Sequence, residues 1–389
     1  MDLRLAKRTQ QIAPFYVMEL LHRAKQLEAQ GKDVIHMEIG EPDFPTPQTI
    51  INAGTRHLKT GAVKYTAAAG LPELREKIAD FYRQRYAVTI DAARIFVTPG
   101  ASGAFLLALG SSLNPGQELL MADPCYPCNS NFVKLFDGKA RTIPVDATTG
   151  YQLTAAQIKQ HWTPNTQGAL IASPSNPTGT LIAPDQLAQA IHTVNDLGGC
   201  FYSDEIYHGL VYGDDATTAL AFSDNVFVIN SFSKYFGMTG WRIGWLIVPE
   251  AFIDATEKLA QNLFISTATP SQYGALAALD PLTLIELEHR RAEFATRRDF
   301  LYDGLVRLGF NIPIKPDGAF YIYADCAKFT DDSYQFALDL LEAEGVAITP
   351  GKDFGTHAAH HYLRFAYTTS IDRMAIALQR LERFIDKQK

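Results

Sequence analysis

One lysine in a glycine-punctuated loop has the surroundings of a reactive amine. Lys234 lies within residues 230–245, directly after the apolar run at residues 226–229, which is predicted to be a buried strand. An amine held among aromatic residues at the end of such a strand is poorly solvated, so its pKa should fall. A lowered pKa suits an amine that forms a Schiff base. The alternative, favoured for any lysine taken alone, is an ordinary surface lysine after a strand.

Three neighbours of Lys234 could bind an anion. Ser231 and Ser233 supply hydroxyl groups, and Arg242 follows Lys234 by eight residues. Charged and hydroxyl donors of this kind suit a phosphate group. The loop therefore combines a candidate nucleophilic amine with a candidate phosphate site.

Other predicted strands also end in polar groups. Residues 99–103, Pro-Gly-Ala-Ser-Gly, open a predicted helix whose exposed N–H groups can attract an anion, although a tight strand-to-helix turn would look the same. Asn176 lies in an Asn-Pro turn, which is a common structure in its own right. Asp204 and Tyr207 follow a third strand. A carboxylate there either caps the next turn or pairs with a cation, because an unpaired buried charge is costly.

Alternating strand and helix patterns place these strand ends together. Such alternation predicts an α/β fold with a mainly parallel, helix-covered sheet, in which ligands bind at the C-terminal strand ends. An amine, a carboxylate, a phenol, an amide and a phosphate cradle would meet there, which matches the groups of pyridoxal phosphate. The predicted strands are residues 95–98, 118–122, 140–145, 168–172, 200–203, 226–230 and 243–248, with helices at 71–86, 103–113 and 184–197.

The chain is expected to form two domains. Residues 47–280 are predicted to be the large cofactor-binding domain, and residues 281–389 a smaller α+β domain. Residues 1–46 are predicted to be an N-terminal segment that contributes to the small domain. Outside the large domain, helices are predicted at 15–30 and 283–308, and strands at 34–39, 319–323, 346–348 and 362–366.

Composition narrows the class of protein. The 389 residues are 47% hydrophobic and 20% charged, as in a soluble enzyme, and the net charge of -7 argues against nucleic acid or an anionic membrane as the main partner. No apolar run reaches the length of a membrane span, and the first residues lack the apolar core of a signal peptide. A cytoplasmic protein is expected.

The four cysteines do not form a disulfide framework or a metal site. Cys125 and Cys128 make a CxxC pair, but one pair cannot complete a tetrahedral zinc site, and the other two cysteines lie far off in sequence. A redox pair is possible. Small residues in a loop are the preferred interpretation.

Taken together, these motifs resemble those of the class I/II aminotransferases, which are pyridoxal-phosphate enzymes of fold type I. The resemblance runs nearly end to end, with separated motifs in family order. These are Ser-x-Ser-Lys with its arginine at 231–242, Asn-Pro-x-Gly at 176–179, Asp-x-x-Tyr at 204–207, and the segments 64–75, 316–321, 349–355 and 363–367.

The resemblance implies a role for each residue at the cofactor ring. Lys234 would be the Schiff-base lysine and would later shuttle a proton between the substrate Cα and the cofactor. Asp204 would pair with the pyridine nitrogen, and Tyr207 and Asn176 would donate to the 3-oxygen. Tyr126 would stack on the ring face, or else be a core aromatic residue.

The resemblance also implies how the phosphate and the substrate are held. Ser231, Ser233, Arg242 and the amides of Ala101 and Ser102 would hold the phosphate. Tyr65 would reach the phosphate of a neighbouring subunit in a homodimer with shared sites, or else pack within its own chain. Arg364 would grip the substrate α-carboxylate beneath Gly40, unless it belongs to a structural ion pair.

The type of substrate side chain is suggested only by the absence of a cationic residue from one predicted helix. Related aspartate enzymes take a second cation from the helix after the phosphate loop, and residues 104–113 hold no lysine or arginine. An apolar or aromatic amino acid is therefore favoured over a dicarboxylic one, with a 2-oxo acid as acceptor in a ping-pong reaction. Phe15, Tyr16 and Phe44 near the mouth support this loosely.

Two other functions are compatible with parts of the pattern. A β- or γ-lyase, such as a C–S lyase, would use the same Lys, Asp and Arg set. A non-enzymatic regulator that binds the cofactor would need a DNA-binding domain, and the roughly thirty residues before the first predicted strand resemble a single helix. Retention of Lys234 argues against a non-catalytic protein.

Overall fold

A computed structural model describes residues 5–12 and 14–387. The described residues form twelve α-helices: α1 Tyr16–Ala29, α2 Gln48–Lys59, α3 Pro72–Tyr86, α4 Gly100–Ser112, α5 Pro127–Leu135, α6 Ala155–His161, α7 Pro184–Asp196, α8 Ile253–Leu263, α9 Thr269–Ala278, α10 Pro281–Leu308, α11 Ser333–Glu344 and α12 Ile371–Asp386. None of these helices combines the length and apolar character that a membrane span requires.

The same residues form twelve strands. They are β1 Ile35–His36, β2 Ile95–Thr98, β3 Glu118–Asp123, β4 Lys139–Pro144, β5 Thr166–Ala172, β6 Cys200–Asp204, β7 Val226–Ser231, β8 Gly244–Ile247, β9 Tyr321–Asp325, β10 Val346–Ala347, β11 Thr349–Pro350 and β12 Tyr362–Ala366.

The central sheet has seven strands in the order β2-β8-β7-β6-β5-β3-β4. Strand β8 is antiparallel to both neighbours, β2 and β7, whereas the pairs β7-β6, β6-β5, β5-β3 and β3-β4 are parallel. These are the seven strands predicted between residues 95 and 248. The α/β fold with a mainly parallel sheet is therefore confirmed.

Both faces of this sheet are covered, and strand β7 shows why. All six of its residues are buried. Val226 and Val228 belong to the apolar core on one face, and Phe227 and Ile229 to the core on the other. Each such side chain contributes about 1.5–3 kcal/mol when it is removed from water. A continuous apolar run is thus typical of a strand buried on both sides.

The described residues also form two smaller sheets. Strands β11, β12 and β9 form an antiparallel sheet in that order, and β1 pairs in parallel with β10. Residues near the N-terminus thus pair with a strand some three hundred residues later in the chain. The division into domains at residues 47 and 281 stays a prediction.

Some predicted bounds were wrong. The strand predicted at 319–323 begins only at Tyr321, because Ala319 has a φ of 57°, which no strand residue adopts. The strand predicted at 34–39 pairs only over Ile35–His36. Two of the residues that follow accept hydrogen bonds from side chains of the site described below: Glu38 O from Arg364, and Gly40 O from Lys234.

Candidate active site

A cavity of about 780 Å³ opens at the C-terminal ends of strands β5, β6 and β7. It is lined by every residue that the sequence predicted for the site except Ser231 and Tyr65. The predicted residues that line it are Gly40, Ala101, Ser102, Tyr126, Asn176, Asp204, Tyr207, Ser233, Lys234, Arg242 and Arg364.

Lys234 lies in the loop after β7 and points into this cavity. Its Nζ donates a hydrogen bond to the carbonyl oxygen of Gly40 and lies 5.9 Å from the centre of the Tyr207 ring. Burial, together with the positive charges of Arg364 and Arg242, lowers the pKa of Lys234 to about 8. The expectation of a lowered pKa is confirmed. Near pH 8 the amine is neutral in a large fraction of molecules, as a nucleophile requires.

Asp204 ends strand β6 and is 5% exposed. Its Oδ1 accepts a hydrogen bond of 3.2 Å from the backbone N–H of Ile206. Burial raises the pKa of Asp204 to about 7, while that hydrogen bond and the charge of Lys234 act in the opposite direction. A cation placed before this carboxylate would offset the cost of its burial.

Tyr207 and Asn176 are held by residues from the smaller sheet. The hydroxyl groups of Tyr207 and Tyr321 are 2.9 Å apart. The Oδ1 of Asn176 accepts a hydrogen bond of 2.9 Å from Arg364 Nη1, so its amide nitrogen is the atom that can donate to a ligand. Both side chains are therefore oriented by contacts that span more than a hundred residues of sequence.

The N-terminus of helix α4 and Arg242 form one wall of the cavity. Gly100 has a φ of 69°, and a β-carbon there would lie 2.7 Å from Nη2 of Arg242. Glycine thus lets the arginine approach the free N–H groups of Ala101 and Ser102. Arg242 also has a positive φ, of 51°, and its Nη1 donates to Thr239 O at 3.2 Å. These groups form a basic, donor-rich site suited to an anion.

Ser231 differs from its neighbour Ser233. Ser233 lines the cavity, whereas Ser231 is 1% exposed and lies behind it. The Oγ of Ser231 donates to Ser233 Oγ at 2.9 Å and to Ile243 O at 3.1 Å. Ser231 therefore contacts Ser233 and does not itself line the cavity, and the ligand contact predicted for it from the sequence stays a prediction.

Arg364 is 4% exposed on strand β12. Its guanidinium donates to Asn176 Oδ1, Glu38 O and Thr349 Oγ1, all of which are neutral groups. Its Nε is buried with no hydrogen-bond partner among residues 5–12 and 14–387. The interpretation as a structural ion pair is therefore not supported. A buried charge with an unused donor suits a carboxylate ligand.

Tyr126 and Tyr65 occupy different environments. Tyr126 lines the cavity, with its ring 6.3 Å from that of Phe15 in an edge-on contact. Tyr65 is 80% exposed and does not line the cavity of its own chain. The alternative that it packs within its own chain is therefore not supported, and its contact with a neighbouring subunit stays a prediction.

Sequence reasoning missed several wall residues. Tyr321 touches Tyr207, and the apolar side chains of Val17, Met18, Phe105 and Phe132 line the cavity. Tyr321 belongs to the motif at 316–321, so the motif could have indicated it. The loosely suggested Phe44 does not line the cavity and packs against Phe294 at 5.3 Å instead.

The two thiols of the CxxC pair are poorly suited to redox chemistry. Cys125 and Cys128 are both free thiols. Burial raises the pKa of Cys125 to about 12 and also raises that of Cys128. A redox-active thiol needs a lowered pKa, so the preferred interpretation as loop residues is the better supported one.

The donor set fits pyridoxal 5′-phosphate. The buried carboxylate of Asp204 suits the ring nitrogen, and the amine of Lys234, with its lowered pKa, suits the aldehyde carbon. The N-terminus of helix α4 and Arg242 suit the phosphate. The close approach of Arg242 to Gly100 shows that this cradle has no room for a side chain at position 100.

Comparison with known proteins agrees with this geometry. The family described as "Aminotransferase class I and II" matches residues 32–381. The chain is 37% identical to a valine–pyruvate aminotransferase from Mycobacterium tuberculosis, over 97% of each chain. It is 38% identical to a (5-formylfuran-3-yl)methyl phosphate transaminase from Methanocaldococcus jannaschii, over 98% of this chain and all of the relative.

A solved structure shows the same fold. An aminotransferase from Mycobacterium tuberculosis superimposes with a TM-score of 0.96 at 36% identity, covering 99% of this chain and 100% of that one. This protein belongs to the class I and II aminotransferases, which are enzymes that depend on pyridoxal phosphate.

Proposed function

We propose that this enzyme moves the amino group of an L-amino acid with an apolar or aromatic side chain to a 2-oxo acid, in a ping-pong reaction. The observation that carries this proposal is the wall of the cavity. Phe105 and Phe132 stack at 5.3 Å with an angle of 11° between their rings, and Phe15, Val17 and Met18 complete the apolar surface. Such a surface favours an apolar side chain by removing it from water.

The charges around the cavity support the same substrate class. Among the described residues that line it, the cationic side chains of Lys and Arg are Lys234, Arg242 and Arg364. Each has a proposed role: Lys234 in transfer of the amino group, Arg242 in binding the phosphate, and Arg364 in binding the α-carboxylate. A second substrate carboxylate would have no further Lys or Arg among these lining residues to pair with. A dicarboxylic substrate is therefore disfavoured.

The proposed grip on the substrate begins at Arg364. Its planar guanidinium is held by Asn176 and Thr349, so little conformational freedom remains to be lost when a carboxylate binds. Its Nε has no hydrogen-bond partner among the described residues and is a proposed donor to that carboxylate. A bound amino acid would then present its Cα to Lys234 on the opposite wall.

Proton transfer at Cα is assigned to Lys234 Nζ. Pyridoxal phosphate, when bound, supplies an electrophilic carbon for the amino group and a ring that accepts the electron pair released at Cα. A lysine with a pKa of about 8 can accept and return a proton near that pH. Asp204 is proposed to hold a proton on the ring nitrogen, and Tyr207 and Asn176 to donate to the 3-oxygen.

The phosphate is assigned to the wall formed by helix α4. Arg242, Ser233 and the N–H groups of Ala101 and Ser102 are the proposed donors. Ser231 is proposed to act through Ser233, to which it donates a hydrogen bond.

A relative supports the choice of substrates. The Mycobacterium tuberculosis enzyme is named for valine, an apolar amino acid, and pyruvate, a 2-oxo acid. Its similarity to this chain over nearly the full length makes an apolar donor the first substrate to test.

A half-reaction screen tests the proposal. The holoenzyme is mixed with single amino acids, and the visible absorbance of the bound cofactor is followed. Valine, leucine or phenylalanine should change the spectrum and release one equivalent of 2-oxo acid, with aspartate reacting more slowly. A lyase would instead release ammonia together with a 2-oxo acid over repeated turnovers and would return to its starting spectrum, and that outcome would overturn the proposal. Faster reaction with aspartate would overturn the substrate class.

We further propose a homodimer with shared active sites, in which Tyr65 contacts the phosphate bound to the other copy. The 80% exposure of Tyr65 supports this assignment. Mixing Tyr65→Ala and Lys234→Ala proteins tests it, because one site of a mixed dimer would regain both residues. Partial recovery of activity is expected, and none would occur if Tyr65 acted within its own chain. A cytoplasmic location stays a prediction.

A further inference from the structure

Helix α1 is capped by a carboxylate from a distant part of the chain. The backbone N–H groups of Tyr16 and Val17 donate to Asp353 Oδ1 and Oδ2, each at 2.8 Å. Phe15, the residue at the N-cap position of α1, forms no side-chain cap of its own. The first turn of the helix therefore depends on Asp353 for its unsatisfied donors.

The capped turn forms part of the cavity. Phe15, Val17 and Met18 all line it, and Phe15 contacts Tyr126 edge-on. Any shift of this turn would move three apolar side chains relative to the substrate. The position of the apolar wall is thus tied to the two hydrogen bonds of Asp353.

The loop that carries Asp353 also touches Arg364. Thr349 accepts a hydrogen bond from Arg364 Nη2 at 3.2 Å, and the Phe354 ring lies 4.7 Å from the guanidinium carbon. Residues 349–354 therefore contact the proposed carboxylate grip at both ends, with Asp353 between them. One short segment connects that grip to the apolar wall.

The carboxylate charge of Asp353 is stabilised mainly by the backbone N–H groups at the N-terminus of helix α1. The side chain is buried at 6% exposure, and burial raises its pKa to about 6. The charged or titratable groups that face it are Arg364 from β12, Glu19 from α1 and Cys128 from α5. Its neighbour Lys352 is directed instead onto the rings of Tyr16 and Tyr334, at 4.6 and 4.5 Å.

We propose that Asp353 is a positioning residue that sets the side-chain specificity of the enzyme by fixing the first turn of helix α1 against the substrate. This inference rests on the proposed use of the cavity as the amino-acid site. Asp353 itself does not line the cavity. Its effect should therefore appear in discrimination between side chains rather than in the chemical step.

The test compares Asp353→Asn with a matched control, Asp91→Asn. Asp91 also accepts a backbone N–H at 2.8 Å, from Ala93, in a helical turn that does not line the cavity. In Asp353→Asn, the KM for leucine should rise about tenfold, the KM for alanine by less than about threefold, and kcat should change by less than about twofold. Asp91→Asn should change none of them. An equal rise for leucine and alanine, or no rise, would overturn the proposal.

Hydrogen exchange gives a readout that does not require activity. In Asp353→Asn holoenzyme, amides in residues 14–20 should exchange about tenfold faster than in the wild type, whereas Asp91→Asn should leave them unchanged. Unchanged exchange in Asp353→Asn would overturn the cap. If no amino acid reacts with the holoenzyme, the proposed function fails, yet this measurement still decides whether Asp353 holds the helix.

The wild-type protein offers a second measurement that needs no variant. A carboxyl with a raised pKa loses its charge as the pH falls through about 6, and the cap should weaken with it. Exchange of residues 14–20, corrected for its intrinsic pH dependence, should therefore accelerate between pH 7 and pH 5. A flat profile would overturn the role of the charged carboxylate.

Discussion

Gly40 lies against Tyr321 so closely that a β-carbon on Gly40 would be 1.8 Å from the tyrosine hydroxyl oxygen. The same glycine accepts the hydrogen bond of Lys234 Nζ. Tyr321 in turn contacts Tyr207 through its hydroxyl group. One contact between two residues 281 positions apart (321 − 40) thus connects the amine and the phenol of the site.

The variant Gly40→Ala should therefore be destabilised and slow. Forcing a methyl group into this contact costs about 1–3 kcal/mol and displaces the carbonyl group that orients Lys234. Urea denaturation and steady-state kinetics measure the two effects. Gly240→Ala is the control, because a β-carbon there meets no atom within 4 Å in the same cavity. Equal stability of the two variants would contradict the steric argument.

The variant Lys234→Ala should lose the visible absorbance of the bound cofactor and almost all turnover. Removal of a group that transfers protons lowers rates by about 10²–10⁴-fold. Absorbance spectra and a half-reaction with leucine measure both. Lys77→Ala, which removes a lysine bound to Asp280 on another part of the surface, should keep the wild-type spectrum. An unchanged spectrum in Lys234→Ala would show that another lysine holds the cofactor.

The variant Arg364→Lys should raise the KM for all amino acids. Lysine keeps the charge but loses the planar fork that binds Asn176 and Thr349 and that is proposed to bind the substrate carboxylate. The expected loss in kcat/KM is about 10²–10³-fold, or about 3–4 kcal/mol. Arg373→Lys, at an exposed ion pair with Asp33, is the control. An effect confined to one amino acid would place Arg364 in the side-chain site instead.

The variant His36→Gln should lower stability at pH 7 but not at pH 10. The hydrogen bond to Glu38, 2.7 Å long, raises the pKa of His36 to about 9. A raised pKa stabilises the fold below the unfolded value of about 6.5, and this contribution is lost as the pH rises through about 9.

Because His36 is one-third exposed, solvent screening reduces the expected difference at pH 7 to about 1–2 kcal/mol. Urea denaturation of both proteins at the two pH values measures it. His192→Gln, at an exposed position on helix α7, is the control for the loss of an imidazole. A constant difference between wild type and His36→Gln at both pH values would contradict the linkage.

Local sequence determined the central sheet and the groups at its edge. Lys234 is the third residue after strand β7, and Asp204 ends its own strand. In a parallel sheet, such strand ends necessarily meet at one edge, because the chain direction repeats from strand to strand. The seven strands, the cofactor and most of its proposed contacts could therefore be predicted without coordinates.

Only the tertiary structure decided which groups face the cavity and what holds them. Ser231 and Ser233 both look like phosphate ligands in the sequence, yet only Ser233 lines the cavity, and Ser231 is hydrogen-bonded to it. The cap of Asp353 on helix α1 and the contact of Gly40 with Tyr321 join segments hundreds of residues apart. Periodicity and propensity describe contacts along a few turns of chain, whereas these contacts depend on how separate elements pack. The type of reaction could thus be predicted from short sequence motifs, whereas the shape of the substrate site depends on how distant segments pack together.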